Sequence, residues 1–122
     1  MSTLSVLELF VADQRLACEA SHVRVSRGLA GPSLSRLLGR ADSAGSLCIE
    51  VTAPSRRCVF SGVDRAFVRD LDERQFVRLP RILGELGCPA WMRGVAEFQE
   101  GLAIWVDLVA LAEASLVEAP RE

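Results

Sequence analysis

The sequence has no lysine and no tyrosine, and His22 is its only histidine. It also lacks an apolar run as long as the roughly 18 residues that a membrane-spanning helix needs. Its first residues, MSTLSVLELF, carry no basic cluster of the kind that begins a secretory signal. These absences argue against membrane insertion and against export, so we expect a cytoplasmic protein.

The four cysteines are spaced too widely to indicate a metal site. There is no C-x-x-C pair, and a zinc site normally needs four close nitrogen or sulfur ligands. We interpret the cysteines as reduced thiols that pack as small apolar side chains, and we expect no metal and no cofactor. The four residues are Cys18, Cys48, Cys58 and Cys88.

The totals describe an ordinary globular chain. Its 122 residues fit one domain over residues 1–122. Half of the residues are apolar, a quarter are charged, and the net charge is −2. A charge so close to zero gives no general attraction for nucleic acid or for an anionic membrane.

Alternating apolar residues predict a chain made mainly of strands. Leu7, Leu9 and Val11 alternate with polar and smaller residues in the first strand. The segments SLCIEV, CVFSGV, AFVRDL and QFVRLP follow at short intervals as further strands. Short helices are predicted in GPSLSRLLG and PRILGELG, each of which begins near a proline and ends at a glycine. Closely spaced strands with short turns are typical of small antiparallel barrels.

The segment GVAEFQEGLAIWVDLVAL, which begins at Gly94, changes its period from strand to helix. We expect Gly101 to take a positive φ in a tight turn. We also expect Trp105 to pack in the core, with Trp91 nearer the surface. The helical period begins at Asp107, which predicts a helix over residues 107–118 with the Asp107 carboxylate as its N-cap. We assign Asp107 a structural role in preference to a catalytic one.

The order of these segments resembles that of the CheW family of chemosensory coupling proteins. The hairpin SLCIEVTAPSRRCVFSGVDRAF contains a "VD" element at Val63 and Asp64, FVRLPRIL is similar to the family's proline-containing link, and Asp107 follows Gly94 at the family's spacing. The resemblance implies two small SH3-like barrels and no enzymatic activity. Partner binding is expected on apolar residues ringed by arginine. The candidate partner-binding residues are Val63, Asp64, Phe67, Arg69, Arg56 and Arg57.

The chain departs from the family pattern near residue 30. The family's second hairpin, with its N-x-R-G element, has no counterpart between SHVRVSRGL and AGPSLSRLLGR. The chain is therefore similar to a truncated member, in which residues 1–40 form a reduced first barrel and a helix, and residues 41–110 form the second barrel. The implied partners are the cytoplasmic tip of a chemoreceptor and, more weakly or not at all, the regulatory domain of a CheA-type histidine kinase. Another CheW-like protein is a further implied partner.

Two other function classes stay open from the residues alone. An enzyme or ligand-binding barrel would have to use His22 with Glu19 or Asp13 as its acid–base pair. A nucleic-acid binder would use a basic stripe, but acidic residues interleave with it and no tyrosine is available for stacking. A protein partner outside chemotaxis is the remaining alternative. The arginines of the stripe are Arg56, Arg57, Arg65 and Arg69.

Overall fold

The computed structural model describes residues 3–39, 45–54 and 57–118, with side chains in the last range through residue 114. This part of the chain forms nine strands and three α-helices, so the prediction of a mainly β fold is confirmed. The strands are β1 (Thr3–Val11), β2 (Gln14–Glu19), β3 (Val23–Arg27), β4 (Leu47–Thr52), β5 (Arg57–Val63), β6 (Arg65–Asp72), β7 (Phe76–Arg78), β8 (Met92–Phe98) and β9 (Gly101–Val106). The helices are α1 (Leu34–Leu37), α2 (Ile82–Glu85) and α3 (Leu108–Glu118).

The strands form two sheets that do not follow the order of the chain. The larger sheet has the order β6-β1-β2-β9-β8-β7, and the smaller has the order β3-β4-β5. Neighbouring strands are antiparallel except β2 and β9, which pair in parallel through Leu16–Ile104 and Ala17–Trp105. The boundary proposed at residue 40 therefore does not separate the sheets, because β1 and β2 lie in the larger sheet with strands from the second half.

The main hydrophobic cluster draws on both sheets and on helices α1 and α3. The predicted alternation in β1 is confirmed, since its apolar face belongs to this cluster. Burial of these side chains is the main source of stability, at about 25 cal/mol for each Å² of apolar surface. The buried members are Leu7, Leu9, Val11, Leu16, Cys18, Leu34, Ile49, Val51, Phe60, Val63, Val106, Leu108, Leu111 and Ala112.

A second, smaller cluster lies on the opposite face of the six-stranded sheet, which curves into a half-barrel. The short 3₁₀ turn Glu73–Gln75 connects its two edge strands, β6 and β7. Asp72 caps this turn by accepting a hydrogen bond from the Arg74 N–H at 2.9 Å. The Gln75 side chain then donates to the Glu97 carbonyl at 2.7 Å, which holds the turn against β8. The buried members of the cluster are Val6, Ala17, Leu71, Ala96, Phe98 and Ala103.

The two tryptophans occupy places opposite to those expected. Trp91 packs against the main cluster, whereas Trp105 lies half-buried outside both clusters. The Trp105 ring contacts the ring of Phe76 at 4.9 Å between centroids and the guanidinium of Arg78 at 5.3 Å. Gly94 is its direct partner on β8. The expectation that Trp105 packs in the core is wrong because the face it shares with Ala103 opens to solvent at this end of the sheet.

Asp107 stands between β9 and α3 with the geometry of an N-cap. Its Oδ1 accepts a hydrogen bond from the Ala110 N–H at 3.0 Å, and its carbonyl accepts from the Leu111 N–H at 3.0 Å. The second carboxylate oxygen is held by the Arg93 guanidinium, at 2.5 Å from Nη2 and 3.2 Å from Nε. Burial by itself would raise the pKa of Asp107, but the hydrogen bonds from Ala110 and Arg93 outweigh it and hold the pKa below its usual value.

Replacement of Asp107 should destabilise the protein through loss of this cap. We expect Asp107→Ala to lower the free energy of unfolding by about 1 kcal/mol, as the loss of an N-cap does. Asp107→Asn is the matched control, because an asparagine oxygen still caps but no longer pairs with Arg93. Urea denaturation should place the Asn variant between the Ala variant and the wild type; equal losses in both variants would show that the ion pair carries the effect and the cap does not.

The same carboxylate predicts a pH dependence. A folded pKa below the ordinary value of 3.8 means that the carboxylate stabilises the fold at pH values above 3.8. This stabilisation is lost as the pH falls through the lowered folded pKa. The difference in unfolding free energy between wild type and Asp107→Asn should therefore be constant near neutral pH and shrink below about pH 4. A difference that grows on acidification would contradict the assignment.

Iodide quenching of single-tryptophan variants tests the places of the two indoles. In Trp91→Phe, the remaining Trp105 has the cationic Arg78 against its ring, which attracts the iodide anion. In Trp105→Phe, the remaining Trp91 is packed against the main cluster. We expect the larger Stern–Volmer constant for Trp105, and the opposite order would contradict the structure.

Candidate functional site

The single histidine of the sequence is the candidate for a reaction centre, in an acid–base pair with Glu19 or Asp13. His22 lies on the 3₁₀ turn after β2 and lines a cleft of about 510 Å³ together with Glu19. Asp13, the other candidate partner, precedes β2 and so lies at the opposite end of that strand. Cys18 also lines the cleft, but burial, reinforced by Glu19, raises the pKa of its thiol to about 12, so it stays protonated. The cleft therefore brings His22 and Glu19 together, but it holds no activated nucleophile among the described residues.

Charges of both signs surround this cleft and leave it without a strong net attraction. Arg78 and Arg93 line it together with the carboxylates Glu19, Asp107 and Glu113. Arg93 is already engaged by Asp107. Within residues 3–39, 45–54 and 57–118, no three His, Cys, Asp or Glu side chains are grouped so that they could hold a metal ion. In the same part of the chain, no helix is both long enough and apolar enough to cross a bilayer.

Two of the predicted partner-binding residues, Phe67 and Arg69, lie on the edge strand β6. They share its face with Arg65, and the ring of Phe67, 45% exposed, meets that of Phe10 edge-on at 5.9 Å. Arg65 stacks over Phe10 at 4.4 Å. Arginine beside aromatic rings is the combination most often found at the energetic centre of protein interfaces. We call this set, Phe10, Arg65, Phe67 and Arg69, the β6 face.

Arg69 is fixed by a buried carboxylate. Glu8 on β1 is only 2% exposed and lies 2.8 Å from Arg69 Nη1 and 3.1 Å from Arg15 Nε, the latter an ion pair without hydrogen-bond alignment. Arg69 also reaches Glu100 in the β8–β9 turn at 3.2 Å, and its guanidinium lies over the Phe98 ring at 5.1 Å. A carboxylate this deeply buried is tolerated only when it is paired. Two arginines on neighbouring strands supply that pairing.

The hydrogen bonds of this cluster also shift the pKa values of its two more exposed members, Arg69 and Glu100. The bond to Glu100, assisted by Glu8, raises the pKa of Arg69 above its ordinary value. A hydrogen bond from its own backbone N–H, followed by the Arg69 guanidinium, holds the pKa of Glu100 below its usual value. Both groups therefore remain charged at neutral pH. The positive charge of Arg69 is balanced by the carboxylates of Glu8 and Glu100.

The other predicted contact residues do not join the β6 face. Val63 is fully buried in the main cluster, and Asp64 is exposed at the joint between β5 and β6, where its N–H donates to the Phe10 carbonyl at 2.8 Å. Arg57 lies at the other end of β5 and pairs with Glu50 at 3.1 Å. Arg56 lies outside the described residues. The predicted set is thus spread over two sheets and the core.

Gly94 and Gly101, the two glycines with predicted structural roles, are each required for a different reason. An added Cβ at Gly94 would come within 2.0 Å of the Val77 carbonyl oxygen, so only glycine lets β7 and β8 approach this closely. Gly101 has a φ of +145° in the β8–β9 turn, a backbone conformation that other residues rarely adopt. Both glycines therefore have structural roles in the six-stranded sheet.

A surface that sequence reasoning missed runs across three neighbouring strands. Val77, Val95 and Ile104 lie directly opposite one another on β7, β8 and β9, and Ile104 pairs in turn with the buried Leu16 of β2. Paired residues point to the same face of a sheet, so these side chains lead from the main cluster out to solvent, where Val77 is 52% exposed. We call Val77, Val95 and Ile104 the apolar row. The alternation within each strand gives a weak signal for it, but only the register of β7, β8 and β9 brings its members together.

Comparison with known proteins shows that this architecture is similar to that of a scaffolding protein. No protein-family model matches the sequence, and no curated protein matches it significantly. Among solved structures, the chain is similar to the scaffolding protein TtCheW of Thermoanaerobacter tengcongensis, with a TM-score of 0.70 and 13% sequence identity. The similarity covers 90% of this chain and 92% of TtCheW. The chain therefore has a CheW-like fold, as predicted from the order of its segments.

Proposed function

We propose that the protein is a non-enzymatic adaptor of a bacterial chemosensory pathway and binds the cytoplasmic tip of a chemoreceptor. The observation that carries the proposal is a CheW-like fold that exposes apolar and aromatic side chains at Val77, Leu102 and Phe67 and whose cleft lacks an activated nucleophile. A protein that only holds partners together needs complementary surfaces and no reactive groups. We keep a cytoplasmic location as part of the same proposal, because receptor tips and their kinases lie there.

The apolar row is the surface we assign to the receptor. It is continuous with the main cluster and remains uncovered at β7 and β8, with Leu102 of β9 also 65% exposed. A helical segment can place its apolar stripe against such a surface, as amphipathic helices do in grooves. Binding there would extend the existing core without moving the backbone.

We assign the kinase contact, if one forms, to the β6 face.

We infer that the smaller unit of the fold is reduced to the three strands β3, β4 and β5 and lacks the hairpin that carries the N-x-R-G element. In this respect the chain resembles FrzB, a truncated CheW-like protein of a gliding-motility pathway. The support is the order of the sheet itself, which has only the strands β3, β4 and β5 within the described residues. A stable contact needs about 800 Å² from each partner, so losing a hairpin should damage one of two docking surfaces.

Nucleic-acid binding is the weaker alternative on this geometry. Arg69 is already neutralised by Glu8 and Glu100, and Arg57 is paired with Glu50. Arg65 alone of the described stripe carries no carboxylate partner, and its guanidinium lies over Phe10. A groove that tracks a phosphate backbone needs several free cations in a line.

Two titrations test the proposal, one with a receptor tip and one with a kinase regulatory domain. We expect measurable receptor binding and weak or absent kinase binding. Val77→Glu should weaken receptor binding at least about tenfold, since burying an unpaired carboxylate costs more than the roughly 1.4 kcal/mol that a factor of ten represents.

Leu86→Glu is the matched control, because Leu86 on the C-terminal side of α2 is 75% exposed and lies outside the apolar row. Equal losses in both variants would remove the apolar row as the receptor site. If the folded wild-type protein bound no receptor tip, that result would overturn the adaptor function. Tight and equal binding of receptor and kinase would overturn the reduction of one surface.

A further inference from the structure

The four edges of the two sheets are unequally protected. The edge of β5 is covered by the chain before α1, because the Ser61 N–H donates to the Pro32 carbonyl and the Ser61 hydroxyl donates to the Gly31 carbonyl, both at 2.9 Å. The edge strand β7 has only three residues. β3 carries Arg24 and Arg27 and no acidic residue, so it would repel a second copy of itself. β6, with eight residues, is the longest edge strand and pairs with β1 alone within the described part of the chain.

The alternation of hydrogen bonds in the sheet decides which backbone groups of β6 face the open edge. Val11 and Gln14 flank the short turn between β1 and β2, so they form the hydrogen-bonded pair that closes this hairpin. Because such pairs alternate along a ladder, the next residue, Phe10, directs its N–H and C=O to β6, and its carbonyl accepts from the Asp64 N–H at 2.8 Å. On β6 the alternate residues turn these groups to the open edge, and they are Ala66, Val68, Asp70 and Asp72.

One end of this open edge is closed by the chain itself. The Asp72 N–H donates to the Gln75 side-chain oxygen at 2.8 Å. Ala66, Val68 and Asp70 keep their edge groups open, since no strand among residues 3–39, 45–54 and 57–118 pairs with that side of β6. Val68, the middle one of the three, is 69% exposed. An apolar side chain at the centre of an unpaired edge favours addition of another strand.

A second copy of β6 fits this edge when the two strands run antiparallel with Val68 opposite Val68. In this register the two valines exchange a pair of hydrogen bonds, and each Ala66 exchanges a pair with Asp70 of the other copy. Every open N–H and C=O of these three residues then has a partner in both copies. A shift along the strand in either direction leaves some of these groups unpaired or places them opposite Asp72, whose N–H is already bonded to Gln75.

The side chains favour the same register. Val68 pairs with Leu7 of the main cluster, so the two valines would meet on the core-facing side of both sheets. On the other face, Phe67, which is 45% exposed, would lie opposite Arg69 of the other copy as a cation–π pair. A shift of the register by two residues would instead place Arg69 opposite Arg65 or opposite a second Arg69, which like charges disfavour.

We infer that two copies of this chain form a symmetric dimer in which their β6 strands pair antiparallel about Val68. The inference goes beyond the proposed function and does not depend on it. The contact uses the same edge of both copies, so assembly stops at the dimer. The paired edges bury less than the roughly 800 Å² per partner of a stable complex, and Asp64 meets Asp72 at each end, so the dimer should be weak and dependent on concentration.

Sedimentation velocity of the full chain over a wide concentration range gives the first test. We expect the average mass to rise from that of a monomer towards that of a dimer and no further. Val68→Lys should weaken the association at least about tenfold, because it places two lysines opposite each other at the centre of the contact. Val77→Lys is the matched control on the edge strand β7 and should leave the association unchanged. A monomer at every concentration, a mass beyond the dimer, or equal effects of the two substitutions would overturn the inference.

Disulfide cross-linking tests the register. Val68→Cys should form a disulfide-linked dimer under mild oxidation, because directly opposite residues lie within the Cα separation that a disulfide spans. Asp70→Cys should not, because its counterpart lies roughly 13 Å away along the strand in this register. The wild type, with its four native cysteines, gives the background of the assay. Cross-linking of Asp70→Cys without that of Val68→Cys would refute the register, and thermal melting confirms that each variant is folded.

Discussion

The Glu8 carboxylate, buried to 2% exposure, can exist in this fold only because Arg15 and Arg69 reach it from the strands on either side of β1. A slip of one residue in either pairing would turn one arginine to the opposite face and leave a buried charge without that partner. The cluster therefore fixes the register of β2, β1 and β6. Through Glu100 it also ties the N-terminal strands to the β8–β9 turn.

In this register, each face of the six-stranded sheet carries its own hydrophobic cluster. The main cluster lies on one face and the second cluster on the other, and the parallel pairing of β2 with β9 keeps the sheet continuous between them. Apolar side chains remain exposed on this face at Val77 in the apolar row and at Val68 on β6, both at the margin of the main cluster.

Local features were predictable from sequence and long-range pairings were not. The alternation of Leu7, Leu9 and Val11 identified the core face of β1, and the change of period at Asp107 located the start of α3. The family resemblance predicts Val63 as a contact residue, but the left-handed Gly62 and an extra residue in β5 turn its side chain into the core. Trp105 was assigned to the wrong face because neither its partner Gly94 nor the curvature of the sheet can be derived from alternation alone.

The central claim, that the buried Glu8 cluster holds the two ends of the chain in one sheet, is tested most directly by replacing Arg69. We expect Arg69→Met to lower the free energy of unfolding measurably, though by less than the full loss of a buried pair, because Arg15 still contacts Glu8. The matched Arg74→Met replaces an 80% exposed arginine, 3.7 Å from Asp72, and should cost less than about 0.5 kcal/mol. Urea denaturation of both variants measures the difference. Equal and small losses would contradict the account, since Glu8 would then not depend on Arg69.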